Sequence, residues 1–247
     1  MSPDSGKVIL WDFDGTLARR AGGTSFGACM VETLDEHEPD HGVDIQLIRP
    51  FIRSGFPWHA PDVAHPHLST TASWWEHVEP LLVRGFEGVG FASARARTLG
   101  KLARERYVDV RHWEVFADTI PTLSTLRGLG WRHVILSNHV PELAAIVRGL
   151  GLVSFFEASI NSADTGYEKP HPEAFAIARR AAGDPSTLWM VGDNPIADVA
   201  GAEAVGIPAI LVRVEPSADR SGEHHAPTLS GVVEIVALGK SLHDRNG

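Results

Sequence analysis

The segment VILWDFDGTL, residues 8–17, decides how the rest of the chain is interpreted. Its first four residues are apolar, and a short apolar run bounded by a turn signal is typical of a strand buried on both faces of a parallel sheet. Two carboxylates, Asp12 and Asp14, follow that strand, and Gly15 can turn the chain sharply. Ligands of open α/β sheets lie outside the carboxyl ends of the strands, so we expect both carboxylates to face a site there. Taken alone, the pattern also fits a strand that ends in a solvated Asp turn.

Composition and charge set limits on the function. The chain has 247 residues, of which 43% are hydrophobic and 21% charged, values that are ordinary for a soluble globular protein. The formal net charge is −9 and no basic run stands out, so we expect no nucleic-acid or membrane partner. No signal peptide is evident and no apolar run approaches the ~20 residues that span a bilayer, so we expect a cytoplasmic protein. The single cysteine, Cys29, excludes an intrachain disulfide.

Strands alternate with helices from residue 118 onward. Strands are expected at 132–138, 155–160, 187–193 and 207–214, and helices at 120–129, 141–150, 172–182 and 196–205. Residues 215–227 are polar and predict a loop, and residues 232–238 predict a closing helix. Alternation of this kind is typical of right-handed βαβ units. The predicted fold is therefore α/β, a Rossmann-like, doubly wound parallel sheet.

A long insert separates the first strand from this alternating region. Between Leu17 and Trp113 no strand is predicted, and helices are expected at about 24–34, where Thr24 could cap the helix, 45–51, 70–83 and 91–107. The predicted domains are therefore an α/β core of residues 1–17 and 114–247 and an all-helical insert of residues 18–113. The insert's tryptophans, Trp58, Trp74 and Trp75, favour an internal core over a pocket lining. Candidates for contacting the distal part of a ligand are Arg19, Arg20, Arg53 and His59.

Polar residues follow further strands of the predicted sheet. Ser137 and Asn138 end the second strand, Lys169 lies in the loop after the third, and Asp193 ends the fourth, with Asp198 at the start of the next helix. Individually, these residues also fit helix caps, a turn and a solvated loop lysine. Because the carboxyl ends of the strands meet at one edge of the sheet, their order along the chain favours a common site with the first strand's carboxylates.

Four of these segments together resemble the ordered motifs of the haloacid dehalogenase-like (HAD) hydrolase superfamily. The matching segments are DFDGTL at 12–17, SN at 137–138, KP at 169–170 and GDNPIAD at 192–198. The insert is similar in position to that superfamily's helical C1 cap. Trp11 stands where phenylalanine is often found, which affects no catalytic position.

The resemblance implies a nucleophile, an acid and a metal site. Asp12 would attack phosphorus and form an aspartyl-phosphate, and Asp14 would act first as general acid and then as general base. Asp12, the backbone carbonyl of Asp14 and Asp193 would hold Mg²⁺, which prefers oxygen ligands. The implied function is Mg²⁺-dependent hydrolysis of a small phosphomonoester. Asp14 argues against haloacid dehalogenases, which lack an acid at that position.

Further roles follow from the same resemblance. The Ser137 hydroxyl and backbone N–H groups near Asn138 would bind the phosphoryl oxygens. Lys169 would neutralise the charge of the nucleophile and of the phosphoryl group, and Asp198 would orient Lys169 or a metal-bound water. A phosphosugar mutase or other phosphotransferase of the same fold would share these motifs and stays open as an alternative. A non-catalytic HAD-like binding protein is the alternative from another class.

Overall fold

The computed structural model of the protein describes residues 6–23, 25–214 and 224–243. Its strands are β1 Lys7–Trp11, β2 Ala18–Arg20, β3 Trp113–Val115, β4 Trp131–Ser137, β5 Ala158–Asn161, β6 Thr187–Gly192, β7 Ala209–Val212 and β8 His224–Ala226. Its α-helices are α1 Phe26–His37, α2 Ile45–Ile52, α3 Thr71–Gly88, α4 Ser93–Val108, α5 Thr119–Gly128, α6 Leu143–Gly149, α7 Ser162–Thr165, α8 Pro172–Ala181, α9 Gly201–Ala204 and α10 Leu229–His243.

Six strands form a parallel sheet in the order β5-β4-β1-β6-β7-β8. The strand β1 lies at its centre, with Trp11 aligned with Ile135 of β4 and Val191 of β6. From β1 the chain order runs outward in both directions, so the carboxyl ends of β1, β4 and β6 border the crevice where such folds bind ligands. The predicted doubly wound α/β fold is confirmed.

Both faces of the sheet are covered by helices. Ile9 and Trp11 belong to a cluster that includes residues of α5, α6, α10 and the insert, and Val8 and Leu10 to a second cluster with residues of α8 and α9. A strand buried on both sides has no polar face, which explains the unbroken apolar run before Asp12.

The insert contains the expected helices and one unexpected strand. The helices α1 to α4 pack on one another around Trp74 and Trp75, which are both buried, as expected of an internal core. The prediction that no strand occurs between Leu17 and Trp113 was wrong, because β2 pairs antiparallel with β3 at the base of the insert. The strand β2 escaped prediction because its sequence is Ala-Arg-Arg, in which the buried Arg20 is matched by an ion pair to Glu32.

Two further details differ from expectation. A short edge strand, β8, lies within the segment predicted as a polar loop, and only Ala226 of that strand is buried. The predicted helix after β6 begins as a π-helical segment, Pro195–Ala200, before α9. The suggested cap Thr24 lies outside the described residues, and the side chain of Ser25 caps α1 instead.

Among the helices of the described ranges, none combines the length and the apolar character that a membrane crossing requires.

Candidate active site

A cleft of about 870 Å³ lies between the carboxyl edge of the sheet and the helices α1 and α2 of the insert. Its core side contains every site residue predicted from the sequence: Asp12, Asp14, Ser137, Asn138, Lys169, Asp193 and Asp198. Side chains from four separate segments of the chain thus meet in one place, as the strand order requires. The volume falls within the range of pockets that hold small molecules.

Asp12 occupies the centre of this group, directly after β1. Its N–H donates to the carbonyl oxygen of Val191 at 2.9 Å, which continues the pairing with β6 beyond the end of the strand. Its Oδ1 accepts hydrogen bonds from Ser137 Oγ at 3.0 Å and from Lys169 Nζ at 2.7 Å. Because both bonds go to Oδ1, the carboxylate is held in one orientation while Oδ2 is left for a ligand.

Lys169 is buried between two carboxylates. Its Nζ lies 2.5 Å from Asp198 Oδ1 in addition to its contact with Asp12. Burial alone would lower the pKa of Lys169, but the two adjacent carboxylates outweigh it and raise the pKa above its usual value. The other oxygen of Asp198 accepts the N–H of Asn194 at 3.0 Å. Lys169 is therefore a fixed positive charge, and Asp198 holds it in place.

Asn138 also positions Lys169. Its Oδ1 accepts the backbone N–H of Lys169 at 2.7 Å, and its Nδ2 donates to the carbonyl oxygen of Lys169 at 2.9 Å. The side-chain amide thus binds both backbone groups of one residue across two loops. Because both polar atoms of the Asn138 side chain are occupied, only the backbone N–H groups of this loop remain to bind a phosphate.

Asp14 lies in the same cleft but in a different environment. Its Oδ1 is buried and has no hydrogen-bond partner among the described residues. Burial raises the pKa of Asp14 well above its usual value, and the negative charges of Asp12 and Asp193 raise it further, against a smaller opposing effect of Arg20. The two carboxylates of the first motif are therefore unequal: one is tied to a cation, and the other carries an uncommitted oxygen.

The turn after Asp14 brings the first motif against Asp193. Gly15 has a φ of +85°, and a Cβ at this position would lie 2.4 Å from Asp193 Oδ2, so glycine is needed for two reasons. Asp193 Oδ1 accepts a hydrogen bond from Thr16 Oγ1 at 3.2 Å. Burial raises the pKa of Asp193 to about 7, with further contributions from the charges of Asp12 and Asp198.

Carboxylate oxygens of Asp12, Asp193 and Asp198 lie within 4.8 Å of one another. Such a set of hard oxygen donors fits Mg²⁺ and offers no nitrogen or sulfur ligand for a softer metal. Because both oxygens of Asp198 already accept hydrogen bonds, from Lys169 and from Asn194, Asp12 and Asp193 are the better candidates for direct ligands.

The insert contributes the opposite wall of the cleft. Arg53 and His59, two of the suggested ligand contacts, line it, whereas the other two do not. Arg19 forms an ion pair with Glu114 at the surface, and Arg20 is buried against Glu32. Further lining residues, not expected from the sequence as ligand contacts, are Gln46, Arg49, Tyr107, Phe26 and Phe56. Trp58 was expected to belong to the insert's internal core rather than to a pocket lining; it is only partly buried and lines the cleft, so that expectation was wrong for this residue. Residues 46, 49 and 53 are spaced to share one helical face, which is the signal that could have found them.

Comparisons with known proteins agree with this geometry. Residues 7–206 match the family model described as haloacid dehalogenase-like hydrolase. The human protein named haloacid dehalogenase-like hydrolase domain-containing protein 3 is 33% identical over 215 residues, which cover 83% of this chain and 81% of that protein. A phosphoserine phosphatase of Thermus thermophilus is 34% identical over 60% of this chain and 59% of its own length.

A solved structure covers nearly the whole chain. The crystal structure of a 2-haloacid dehalogenase from Pseudomonas syringae aligns with a TM-score of 0.64 and 26% identity, covering 94% of this chain and 98% of that one. Phosphatases and a dehalogenase are thus both among the similar proteins. The family match spans the strands β1 to β6, the insert and each of the four motifs that meet in the cleft. The chain belongs to the haloacid dehalogenase-like hydrolase family.

Proposed function

We propose that the protein is a Mg²⁺-dependent phosphatase that hydrolyses a small phosphomonoester through an aspartyl-phosphate at Asp12. One observation carries the proposal: Asp14, a second carboxyl two residues after Asp12, lines the same cleft and has an oxygen without a partner in the described chain. A reaction that expels an alkoxide needs a proton donor beside the nucleophile.

The first half of the reaction uses Asp12 and its neighbours. Asp12 Oδ2 attacks phosphorus, the bond to the substrate's ester oxygen breaks, and Asp14 gives its proton to the departing oxygen. Lys169 and the Ser137 hydroxyl hold the attacking carboxylate through its other oxygen. The ammonium of Lys169 also offsets the negative charge that accumulates around the phosphoryl group.

The second half restores the enzyme. A water attacks the phosphorus of the aspartyl-phosphate, Asp14 accepts a proton from that water, and the bond to Asp12 breaks to release phosphate. The carboxylates of Asp12 and Asp193, with the backbone carbonyl of Asp14, are the groups that would hold Mg²⁺. When bound, the ion supplies positive charge that screens the phosphoryl oxygens from the surrounding carboxylates. In this proposal the helical insert serves as the cap that closes over the substrate.

The named relatives support phosphatase chemistry without deciding it. Besides the phosphoserine phosphatase, a glyceraldehyde 3-phosphate phosphatase of Methanothermobacter thermautotrophicus is 35% identical over 40% of this chain and 45% of its own length. The similar structure from Pseudomonas syringae, a 2-haloacid dehalogenase, favours a second candidate, the displacement of halide from carbon. That displacement expels an anion that needs no proton, so it assigns no task to Asp14.

The test is phosphate release with and without Mg²⁺. Wild type, Asp12→Asn and Asp14→Asn are assayed with p-nitrophenyl phosphate and a panel of sugar and organic-acid phosphates, and halide release from 2-chloropropionate is measured in parallel. Asp40→Asn is the control, because this exposed residue has a φ of 68° that asparagine also adopts. We expect Mg²⁺-dependent turnover by wild type and by the control, and a loss of at least about 10³-fold in both site variants.

Two results would overturn the proposal. One is equal activity, or equal inertness, of wild type and Asp12→Asn across the panel. The other is halide release that depends on Asp12 but not on Asp14 or on Mg²⁺. Transfer of phosphate to an added sugar phosphate instead of to water would point to the phosphotransferase alternative.

A further inference from the structure

The insert side of the cleft has its own charge pattern. Gln46 and Arg49 lie on α2, and Arg53 is the residue that ends this helix. All three line the cleft, opposite the carboxylates of the core. Positions three and four residues apart share one face of a helix, so the two guanidinium groups project from the same side of α2.

Among the arginines of the insert's helices in the described part of the chain, only these two both line the cleft and lack a partner. Four others bind acidic side chains or backbone carbonyls: Arg84, Arg95, Arg104 and Arg106. Arg97 also has no ion-pair partner in the described ranges, but it lies outside the cleft. Arg49 and Arg53 form no ion pair and no hydrogen bond within the described part of the chain. The carboxylates that line the cleft all belong to the core, so no acidic side chain of the insert neutralises the two arginines there.

The arginines supply the permanent positive charge of this wall. His59 lines the same wall, and partial burial lowers its pKa below the usual value, which disfavours the charged imidazolium. Asp44, the acidic residue nearest in sequence, is occupied as the cap of α2, where its Oδ1 accepts the N–H of Gln46 at 2.8 Å and that of Leu47 at 3.0 Å.

The size of the cleft leaves room for a second polar group. A phosphoryl group at Asp12 and Lys169 fills only a small part of about 870 Å³. A guanidinium presents a planar fork of N–H donors that matches a carboxylate or a phosphate with two parallel hydrogen bonds. Two unpaired guanidinium groups on one helical face, across the cleft from the proposed phosphoryl site, fit the second anionic group of a doubly anionic molecule.

We propose that Arg49 and Arg53 form a second anion subsite, so that the preferred substrates are small phosphomonoesters carrying a further carboxylate or phosphate. This inference rests on the proposed phosphatase function and adds the substrate class to it. In either case, the group that the two arginines bind is an oxyanion at the end of the substrate opposite the scissile phosphate.

Matched substrate pairs test the subsite. Glycerate 3-phosphate and glycerol 3-phosphate differ by a carboxylate in place of a hydroxymethyl group, and fructose 1,6-bisphosphate and fructose 6-phosphate differ by a second phosphate. In wild type we expect kcat/KM to be at least about tenfold higher for the doubly anionic member of at least one pair. A preference within the first pair indicates that the subsite binds a carboxylate, and a preference within the second pair indicates that it binds a phosphate.

The double variant Arg49→Gln/Arg53→Gln is expected to lose that preference, mainly through a higher KM. Its activity on p-nitrophenyl phosphate, which has no second anion, should stay within about twofold of wild type. Arg97→Gln is the matched control, because Arg97 is exposed on α4, lies outside the cleft and has no ion-pair partner in the described ranges. This control should keep the preference.

The failures of the two proposals can be told apart. Wild type that hydrolyses p-nitrophenyl phosphate with Mg²⁺ but treats both members of each pair equally overturns the subsite alone, as does a double variant that keeps the preference. If no substrate is turned over, the phosphatase proposal fails, and calorimetric titration with glycerate 3-phosphate and fructose 1,6-bisphosphate still tests the subsite. Equal affinities of wild type and the double variant for both ligands would then contradict it.

Discussion

The ammonium of Lys169 lies 2.7 Å from Oδ1 of Asp12, and both groups are buried below the cleft. The backbone of Lys169 is held by Asn138 and its ammonium by Asp198, so this contact is determined by two loops and the π-helical segment after β6. It ties up Oδ1 of Asp12, whereas Oδ2 accepts no hydrogen bond from the described residues, and it places a fixed cation beside the proposed nucleophile.

Removing that cation is expected to abolish most of the activity. In Lys169→Met we expect kcat/KM for p-nitrophenyl phosphate to fall by at least about 10²-fold, because Lys169 is the only cationic side chain in the four motifs. Lys169→Arg should not restore it, since a planar fork does not fit the space that an ammonium occupies between two carboxylates. Lys101→Met, at an exposed position of α4, is the control. A Lys169→Met enzyme with half of the wild-type activity would refute this role.

Gly15 is expected to matter through Asp193. A Cβ at Gly15 would lie 2.4 Å from Asp193 Oδ2, whereas Gly183, with a similar φ of +79°, has nothing within 4 Å of the added atom. Alanine at either position costs on the order of 1 kcal/mol of backbone strain. Only Gly15→Ala should also displace Asp193, the proposed metal ligand, so the Mg²⁺ concentration for half-maximal activity should rise at least about tenfold in this variant. Equal behaviour of the two variants in a magnesium titration would contradict the close approach.

A buried histidine should make the protein sensitive to acid. His133 Nδ1 accepts a hydrogen bond from Trp11 Nε1 at 3.1 Å, and Nε2 lies 3.1 Å from the carbonyl oxygen of Leu123. The ring must therefore be neutral with its proton on Nε2. Burial is the main cause that lowers the pKa of His133 from 6.5 to about 4.

The sign of the effect follows from proton uptake. Between pH 6.5 and about 4 the unfolded chain binds a proton at His133 that the folded protein excludes, so the free energy of unfolding falls as the pH falls through this window. At pH 5 this one residue should cost about 2 kcal/mol relative to pH 8. In urea unfolding, the free energy of unfolding of His133→Gln should fall less between pH 8 and pH 5 than that of wild type, by about 2 kcal/mol. His67→Gln, at an exposed position, should match wild type. Parallel pH profiles of wild type and His133→Gln would disprove the assignment.

The core part of the site could be predicted because its residues follow strands. Asp12, Ser137 and Asp193 each come directly at or after the end of a strand that is recognisable from its apolar run, and parallel strands bring such ends together. No distance had to be known for these groups to be placed in one cleft. The partnership between Asn138 and the backbone of Lys169, by contrast, joins two loops and has no local signature.

The insert could be predicted as helical, and Arg53 and His59 could be named as candidate ligand contacts, but the way in which the insert forms a wall of the site could not be predicted. Helical spacing relates Arg49 to Arg53, but which face of α2 looks into the cleft depends on how the insert packs on the core. The strand β2 was missed for the same reason, because its burial of Arg20 is supported by Glu32 from α1. Contacts between distant segments, rather than local preference, determine these features.

The central claim, a covalent phosphoryl intermediate on Asp12, is tested most directly by trapping it. Wild-type enzyme with Mg²⁺ is mixed with p-nitrophenyl phosphate, quenched within milliseconds and reduced with borohydride, which converts an aspartyl-phosphate to homoserine, and the digested protein is analysed by mass spectrometry. We expect homoserine at position 12, absent when the substrate is omitted. It should increase in Asp14→Asn, because p-nitrophenolate is a stable anion that leaves without a proton donor, whereas hydrolysis of the intermediate still needs Asp14 as base. Turnover of the substrate with unmodified Asp12, or homoserine at another aspartate, would contradict the account.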